Sequence, residues 1–149
     1  MSWKEQIRSN NMKVRLYDDT KDQEAVITLW KSVFKIDLPH HDPLVSINRK
    51  LSAKDDLFFV AESDNCQVVG TIMVGYDGHR GWIYSLAIDP SYRKKGIGSL
   101  LLAQAESVLK KMNCPKVNLQ IETWNKEVVE FYSKNGYELE ERISMGKIL

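Results

Sequence analysis

Cysteine is scarce in this chain of 149 residues: only Cys66 and Cys114 occur, they form no CxxC pair, and neither lies beside any of the three histidines, His40, His41 and His79. A zinc site needs thiolates or imidazoles closely spaced on a common surface, so no metal is expected, and two reduced structural cysteines suit a reducing compartment. An excess of one charge is lacking too, because 21 basic residues face 20 acidic ones for a formal net charge of +1. A general nucleic-acid binder would show a strong basic excess, and that class of partner is excluded. No apolar run approaches the ~20 residues that span a bilayer. The opening Met1-Ser2-Trp3-Lys4-Glu5-Gln6 carries no apolar core of the secretory type. These absences predict a soluble cytoplasmic protein with no membrane partner. What is present is ordinary for a packed globule: 43% hydrophobic and 28% charged residues, in a length that suits one domain.

Periodicity divides the chain. Residues 1–11 are polar and patternless and read as an extension, with a single domain over 12–149. Residues 13–17 alternate like a half-buried strand. Asp18-Asp19-Thr20 offers a helix cap, and Val26, Leu29, Trp30 and Val33 follow at helical spacing. The stretch 37–42, with Pro39 and two histidines, reads as a loop before a helix over roughly 43–54. Strands are then expected at 57–62, 67–76 and 82–88, separated by turn chemistry at Ser63-Asp64-Asn65 and at 77–81. Leu101, Ala105, Val108 and Met112 mark one face of a long helix. Val117, Leu119 and Ile121 alternate as a strand, Asn125 caps a short helix, and Gly136 ends it. Two further strands are expected at 137–140 and 142–147. The predicted order is β α α β β β α β α β β, an α/β (α+β) fold with a mixed sheet and helices on both faces.

The segment Arg93-Lys94-Lys95-Gly96-Ile97-Gly98-Ser99 lies between a strand and the long helix and places three cations at a helix start. Helix N-termini are already electropositive and rich in unpaired N–H groups, so cations there are unfavourable unless an anion joins them. Gly96 and Gly98 remove side chains where an anion must approach the backbone, and Ser99 adds a hydroxyl. A solvated basic turn with two structural glycines is the plainer reading. A Walker loop is excluded because no Gly-Lys-Ser/Thr string follows, and a dinucleotide fingerprint is excluded because Leu101 stands where its third glycine belongs.

The pattern Arg93-x-x-Gly96-x-Gly98 resembles the R/Q-x-x-G-x-G/A signature of the GNAT superfamily of N-acetyltransferases. Strand 82–88 with Asp89-Pro90 resembles the family's fourth strand and its exit. Asn125 and Phe131-Tyr132-Ser133-Lys134-Asn135-Gly136-Tyr137 resemble its downstream N…FYxKxGF block. The string Gly75-Tyr76-Asp77-Gly78-His79-Arg80-Gly81 is similar to a YpeA-like bacterial branch. The resemblance implies the GNAT-type acyl-CoA N-acyltransferase fold and an acetyltransferase whose cosubstrate is acetyl-coenzyme A and whose partner is an amine acceptor. Arg93, Lys94, Lys95, Gly96, Ile97, Gly98 and Ser99 would grip the pyrophosphate. The backbone of Leu86, Ala87 and Ile88 would pair with the pantetheine arm. Many relatives dimerise, which leaves a homodimer open, and nothing in the sequence specifies how.

By the same resemblance Tyr132 is the general acid for the departing thiolate, although the residue also reads as a core aromatic beside Phe131. Some family members carry a catalytic glutamate at the position of Gln120, which cannot accept a proton. Glu122, two residues on and on the same strand face, is the substitute base, and a water relay past Tyr84 or Ser85 is the alternative. Asn125 serves as cap, cofactor contact, or both. Asp77, His79 and Tyr84 are candidates for the acceptor pocket, while Asp-Gly is also an ordinary hairpin turn. A coenzyme A-binding domain without catalysis, acting as a sensor or subunit, and an unrelated anion-binding or interaction domain fit the same loop.

Overall fold

The computed structural model describes residues 7–9 and 11–149. The chain divides into two compact units, Met1–Leu119 and Gln120–Leu149. The first unit holds a six-stranded sheet whose strands stand in sequence order: β1 (Ile7–Ser9), β2 (Met12–Leu16), β3 (Phe58–Glu62), β4 (Val68–Tyr76), β5 (Gly81–Ile88) and β6 (Val117–Asn118). Neighbours from β1 to β5 pair antiparallel, and β5 pairs β6 in parallel. Helices α1 (Asp19–Val33) and α2 (Pro43–Ser52) connect β2 to β3, and α3 (Ile97–Lys111) makes the crossover from β5 to β6. The second unit holds α4 (Lys126–Lys134).

The elements arise where local chemistry asks for them. Asp18 caps α1 through its carboxylate, which accepts the N–H of Thr20, and Asp42 caps α2 by accepting the N–H of Val45. The expected loop at 37–42 contains a short 3-10 turn at Pro39–His41. Strand β3 is buried along nearly its whole length. Its Phe58 and Val60 join Val26, Leu29, Trp30 and Ile47 of α1 and α2 in one core cluster. Phe59 and Ala61 alternate to the opposite face. Leu101 and Leu109 of α3 lie close to Gly70 and Gly81 of the sheet. Arg15 ties three elements together with hydrogen bonds of 2.7 Å to Glu62 of β3 and 2.7 and 2.8 Å to Asp22 of α1.

Three expectations need correction. The polar stretch over 1–11 contains a strand, β1, which pairs with Met12–Leu16; the rest of that stretch, 1–6 and 10, lies outside the described residues. The strand expected from Val117 to Ile121 keeps only two residues, and 120–122 adopt no strand geometry, so Gln120 and Glu122 share no strand face. The strands expected at 137–140 and 142–147 are absent. Ile143 and Met145, within the second of these stretches, are 93% and 91% exposed. Alternation signals a side-chain period, whereas a strand also requires a ladder partner to take its N–H and C=O groups.

Candidate functional site

The approach to α3 is built by turn chemistry. Asp89 accepts the N–H of Ser91 at 2.8 Å and opens a 3-10 turn over Pro90–Tyr92. Arg93 is extended, and the chain then takes two left-handed steps, at Lys94 (φ 61°) and Gly96 (φ 80°). Ile97, only 2% exposed, anchors the first helical residue in the core. The helix therefore starts at a fixed place.

Helix α3 differs from the others at this end. Asp18, Asp42 and Asn125 cap α1, α2 and α4 with side-chain oxygens, while Gly96 offers α3 none, and the first turn of α3 holds no acidic residue. The N–H groups of Ile97, Gly98 and Ser99 precede the first intrahelical bond, Leu100 N–H to Gly96 C=O at 3.0 Å. Arg93, Lys94 and Lys95 are exposed, and no ion pair among the described residues involves them. Lys95 lies over the ring of Tyr92, with 5.1 Å from its Nζ to the centroid. A side chain at Gly96 would meet nothing within 4 Å. The glycine is thus needed for its backbone angle and leaves open space against the amides. Unpaired donors, cations without a carboxylate partner and that opening fit a multiply charged anion such as a diphosphate.

Beside this corner runs β5. Its pairing with β6 covers only Gly81↔Val117 and Trp82↔Asn118, so the ladder on that edge ends well before Leu86, Ala87 and Ile88. Ser85 is left-handed at φ 49°, and the register against β4 slips by one residue there: Thr71 pairs with Ala87, but Met73 pairs with Tyr84. Ala87 is buried in the sheet, while Leu86 and Ile88 are half-buried. Tyr84 is 56% exposed; partial burial, then the nearby Asp77 carboxylate, push its phenol up. Two residues that the sequence pattern did not mark as part of a site also enter here. The Thr71 hydroxyl donates to the Ser85 carbonyl, and the Trp30 indole donates to that hydroxyl. A buried threonine in an apolar strand was the sole available signal.

Asp77 organises its own turn. One carboxylate oxygen accepts the N–H groups of His79 and Arg80 at 2.8 and 2.7 Å, and these bonds, Arg80's the larger, hold the acid below its usual range. His79 is exposed in the same turn.

In the second unit Asn125 accepts the N–H of Val128 at 3.4 Å as the cap of α4. Glu122 is exposed, and its backbone carbonyl accepts the Asn125 N–H at 2.8 Å. Tyr132 is 6% exposed and packs edge-on against Phe131 and Tyr137. Its hydroxyl has no hydrogen-bond partner among the described residues, and burial alone pushes its pKa well above the ordinary phenol value. Among the described residues no three metal-ligating side chains are grouped, and no helix is long and apolar enough to cross a membrane.

Comparison with known proteins bears on this arrangement. The model of the acetyltransferase (GNAT) family matches residues 23–137. An acetyltransferase of Pectobacterium atrosepticum is 42% identical over 140 residues, covering 93% of this chain and 96% of that protein. The crystal structure of a GNAT-family acetyltransferase from Staphylococcus aureus Mu50 superposes with a TM-score of 0.75 at 24% identity, covering 87% of each chain. PaiA N-acetyltransferase from Thermoplasma acidophilum, solved in complex with coenzyme A, has a TM-score of 0.75 at 20% identity and covers 89% of this chain and 92% of its own. The two structural likenesses establish the fold, which is the GNAT fold that the sequence resemblance implied.

Proposed function

The chain belongs to the GNAT acetyltransferase family, and from that premise we propose that it moves an acetyl group from acetyl-coenzyme A to a primary amine by direct attack on the thioester. The acceptor is a small molecule, a lysine side chain or a protein N-terminus. The observation that carries the reading is the start of α3, where uncapped amides, a left-handed Gly96 and the cations Arg93, Lys94 and Lys95 meet without a carboxylate. The coenzyme A held by PaiA on the same fold supports the choice of donor.

In this reading the diphosphate of the cosubstrate takes the place of the missing cap, with Gly98 and Ser99 in the first turn. The pantetheine amides extend along the backbone of Leu86, Ala87 and Ile88, where the β5–β6 ladder has ended. An alkylammonium with pKa ~10.4 must lose a proton before it can attack. Glu122, or a water relay past Tyr84 or Ser85, takes that proton. Tyr84 keeps its own proton near neutrality, so it relays through its hydroxyl and does not serve as the base. The amine nitrogen bonds to the carbonyl carbon and the C–S bond breaks; the second proton that the acylated nitrogen then sheds passes through water to solvent, leaving a neutral amide and coenzyme A thiolate. A free thiol has pKa ~8.5, and burial holds the Tyr132 proton far more tightly than that. Tyr132 therefore stabilises the leaving sulfur by donating a hydrogen bond. Asn125 combines its capping role with a contact to the cosubstrate, and Asp77, His79 and Tyr84 border the acceptor.

Isothermal titration with acetyl-coenzyme A, followed by thiol release with a panel of primary amines, tests the proposal. Gly98→Glu puts a carboxylate where the diphosphate belongs and is expected to weaken acetyl-coenzyme A at least 100-fold, about 2.7 kcal/mol. Unchanged affinity in that variant would remove the diphosphate corner from the mechanism. Binding without thiol release for any amine would instead identify a non-catalytic sensor.

A further inference from the structure

We propose that Thr71 and Trp30 are positioning residues for acyl transfer, which aim the peptide between Ser85 and Leu86 at the thioester; this rests on the acetyltransferase reading above. Strand β5 carries one residue more than β4 between the pairs Thr71↔Ala87 and Met73↔Tyr84, which makes a bulge at 85–86. Ser85 holds a left-handed φ of 49°, a conformation unfavourable for a residue with a Cβ and kept only where the surroundings enforce it. The enforcing contact comes from β4. Thr71, fully buried, donates its hydroxyl proton to the Ser85 carbonyl at 2.9 Å and accepts the Trp30 indole N–H at 2.8 Å.

Each partner in this chain is committed. Trp30, 3% exposed on α1, has one donor and gives it to Thr71, so the hydroxyl must turn its own proton to Ser85. The Ser85–Leu86 peptide is planar and trans, so its N–H points opposite to its C=O. With the carbonyl held toward Thr71, the Leu86 N–H points away from it. In a regular ladder this peptide would follow the alternation of its neighbours; the bulge removes it from that alternation. Leu86 begins the segment assigned to the pantetheine arm, so its N–H is aimed where the thioester carbonyl arrives. As negative charge grows on that oxygen, a donor fixed beforehand costs no reorganisation.

Packing alone would not demand this arrangement. Valine has the shape of threonine, and an apolar strand between two helical layers would accept it. The hydroxyl instead links α1, β4 and the bulge in one buried line. A structural role predicts that its loss lowers stability and weakens every step together. A positioning role predicts that turnover falls while donor affinity holds.

The test uses the full chain with acetyl-coenzyme A and an equimolar mixture of ethylamine, Nα-acetyl-lysine amide and an alanyl tripeptide, read by thiol release. For Thr71→Val, kcat is expected to fall on the order of 10- to 100-fold, with the acetyl-coenzyme A Kd within about threefold of the parent. Thr71→Ser, which keeps the hydroxyl, restores kcat to within about threefold. Trp30→Phe gives a smaller fall of the same kind and serves if the valine variant does not fold. A Thr71→Val enzyme that turns over like the parent would overturn the positioning role while leaving the acetyltransferase intact. Equal losses in kcat and affinity that Thr71→Ser does not restore would overturn it too. A parent protein that binds acetyl-coenzyme A without thiol release would defeat the functional reading itself, and the positioning role with it.

Discussion

Tyr132 shows how one residue carries two separable properties. Its ring is buried against Phe131 and Tyr137, while its hydroxyl makes no hydrogen bond among the described residues. Tyr132→Phe keeps the ring and removes only the donor. Acetyl transfer is therefore expected to fall about 100-fold, with acetyl-coenzyme A affinity and neutral-pH Tm nearly unchanged; transfer at the parental rate would end its role at the sulfur. The pKa has a stability consequence with a definite sign. Burial raises the folded-state value, so the neutral phenol is favoured by the fold. That stabilisation is complete below the unfolded pKa of ~10 and is lost as pH rises beyond it. Parent protein should lose more Tm than Tyr132→Phe between pH 9 and pH 11, as thermal melts at the two pH values would show. At this scale the sequence was partly legible. The cation run at 93–95 and the caps Asp18 and Asn125 stand in it plainly because their causes are local. The Thr71–Ser85 bond, whose partners are 14 residues apart, and the Trp30–Thr71 bond, 41 apart, do not.

Among the elements, β5 is under the tightest demands. It pairs with β4 on one side and briefly with β6 on the other, and Gly81 opens it where both ladders meet. Gly81 donates its N–H to Lys116 C=O at 2.8 Å. A Cβ at that position would sit 2.8 Å from Leu109 Cδ1 and 3.0 Å from Cys114 Sγ. Gly81→Ala must therefore displace the Leu109 methyls and crowd the Cys114 thiol, and is expected to cost about 1 kcal/mol, read as a lower urea midpoint at an unchanged slope. A neutral result would mean that the end of α3 yields freely. Most elements were legible, since β3, β4 and α3 bury whole faces and their periodicity survives in the sequence. The terminal strands misled because Leu139, Ile143 and Met145 supply an apolar rhythm while remaining exposed. The rhythm describes side chains, and pairing is decided by backbone partners elsewhere.

For the whole molecule, a ligand that binds only the folded chain must stabilise it by mass action. At a concentration 100 times Kd, acetyl-coenzyme A should add about 2.7 kcal/mol, a rise in Tm of roughly 5–10 °C for a chain of this length. Gly98→Glu should show almost no rise under the same conditions. Equal shifts in parent and variant would place the cosubstrate elsewhere on the molecule. The two units, Met1–Leu119 and Gln120–Leu149, divide the proposed residues: the anion corner and the bulge belong to the first, Glu122, Asn125 and Tyr132 to the second.

The amino-acid order alone determined the family resemblance, the helix starts and the cationic glycine loop, because capping, helical period and glycine conformation act within a few residues. Only the tertiary structure decided that β6 is two residues long, that the chain's last apolar residues pair with no ladder, and that β5 bulges at Ser85. Those features depend on which backbone groups meet across the sheet, and a hydrogen-bond register exists only once distant strands have come together.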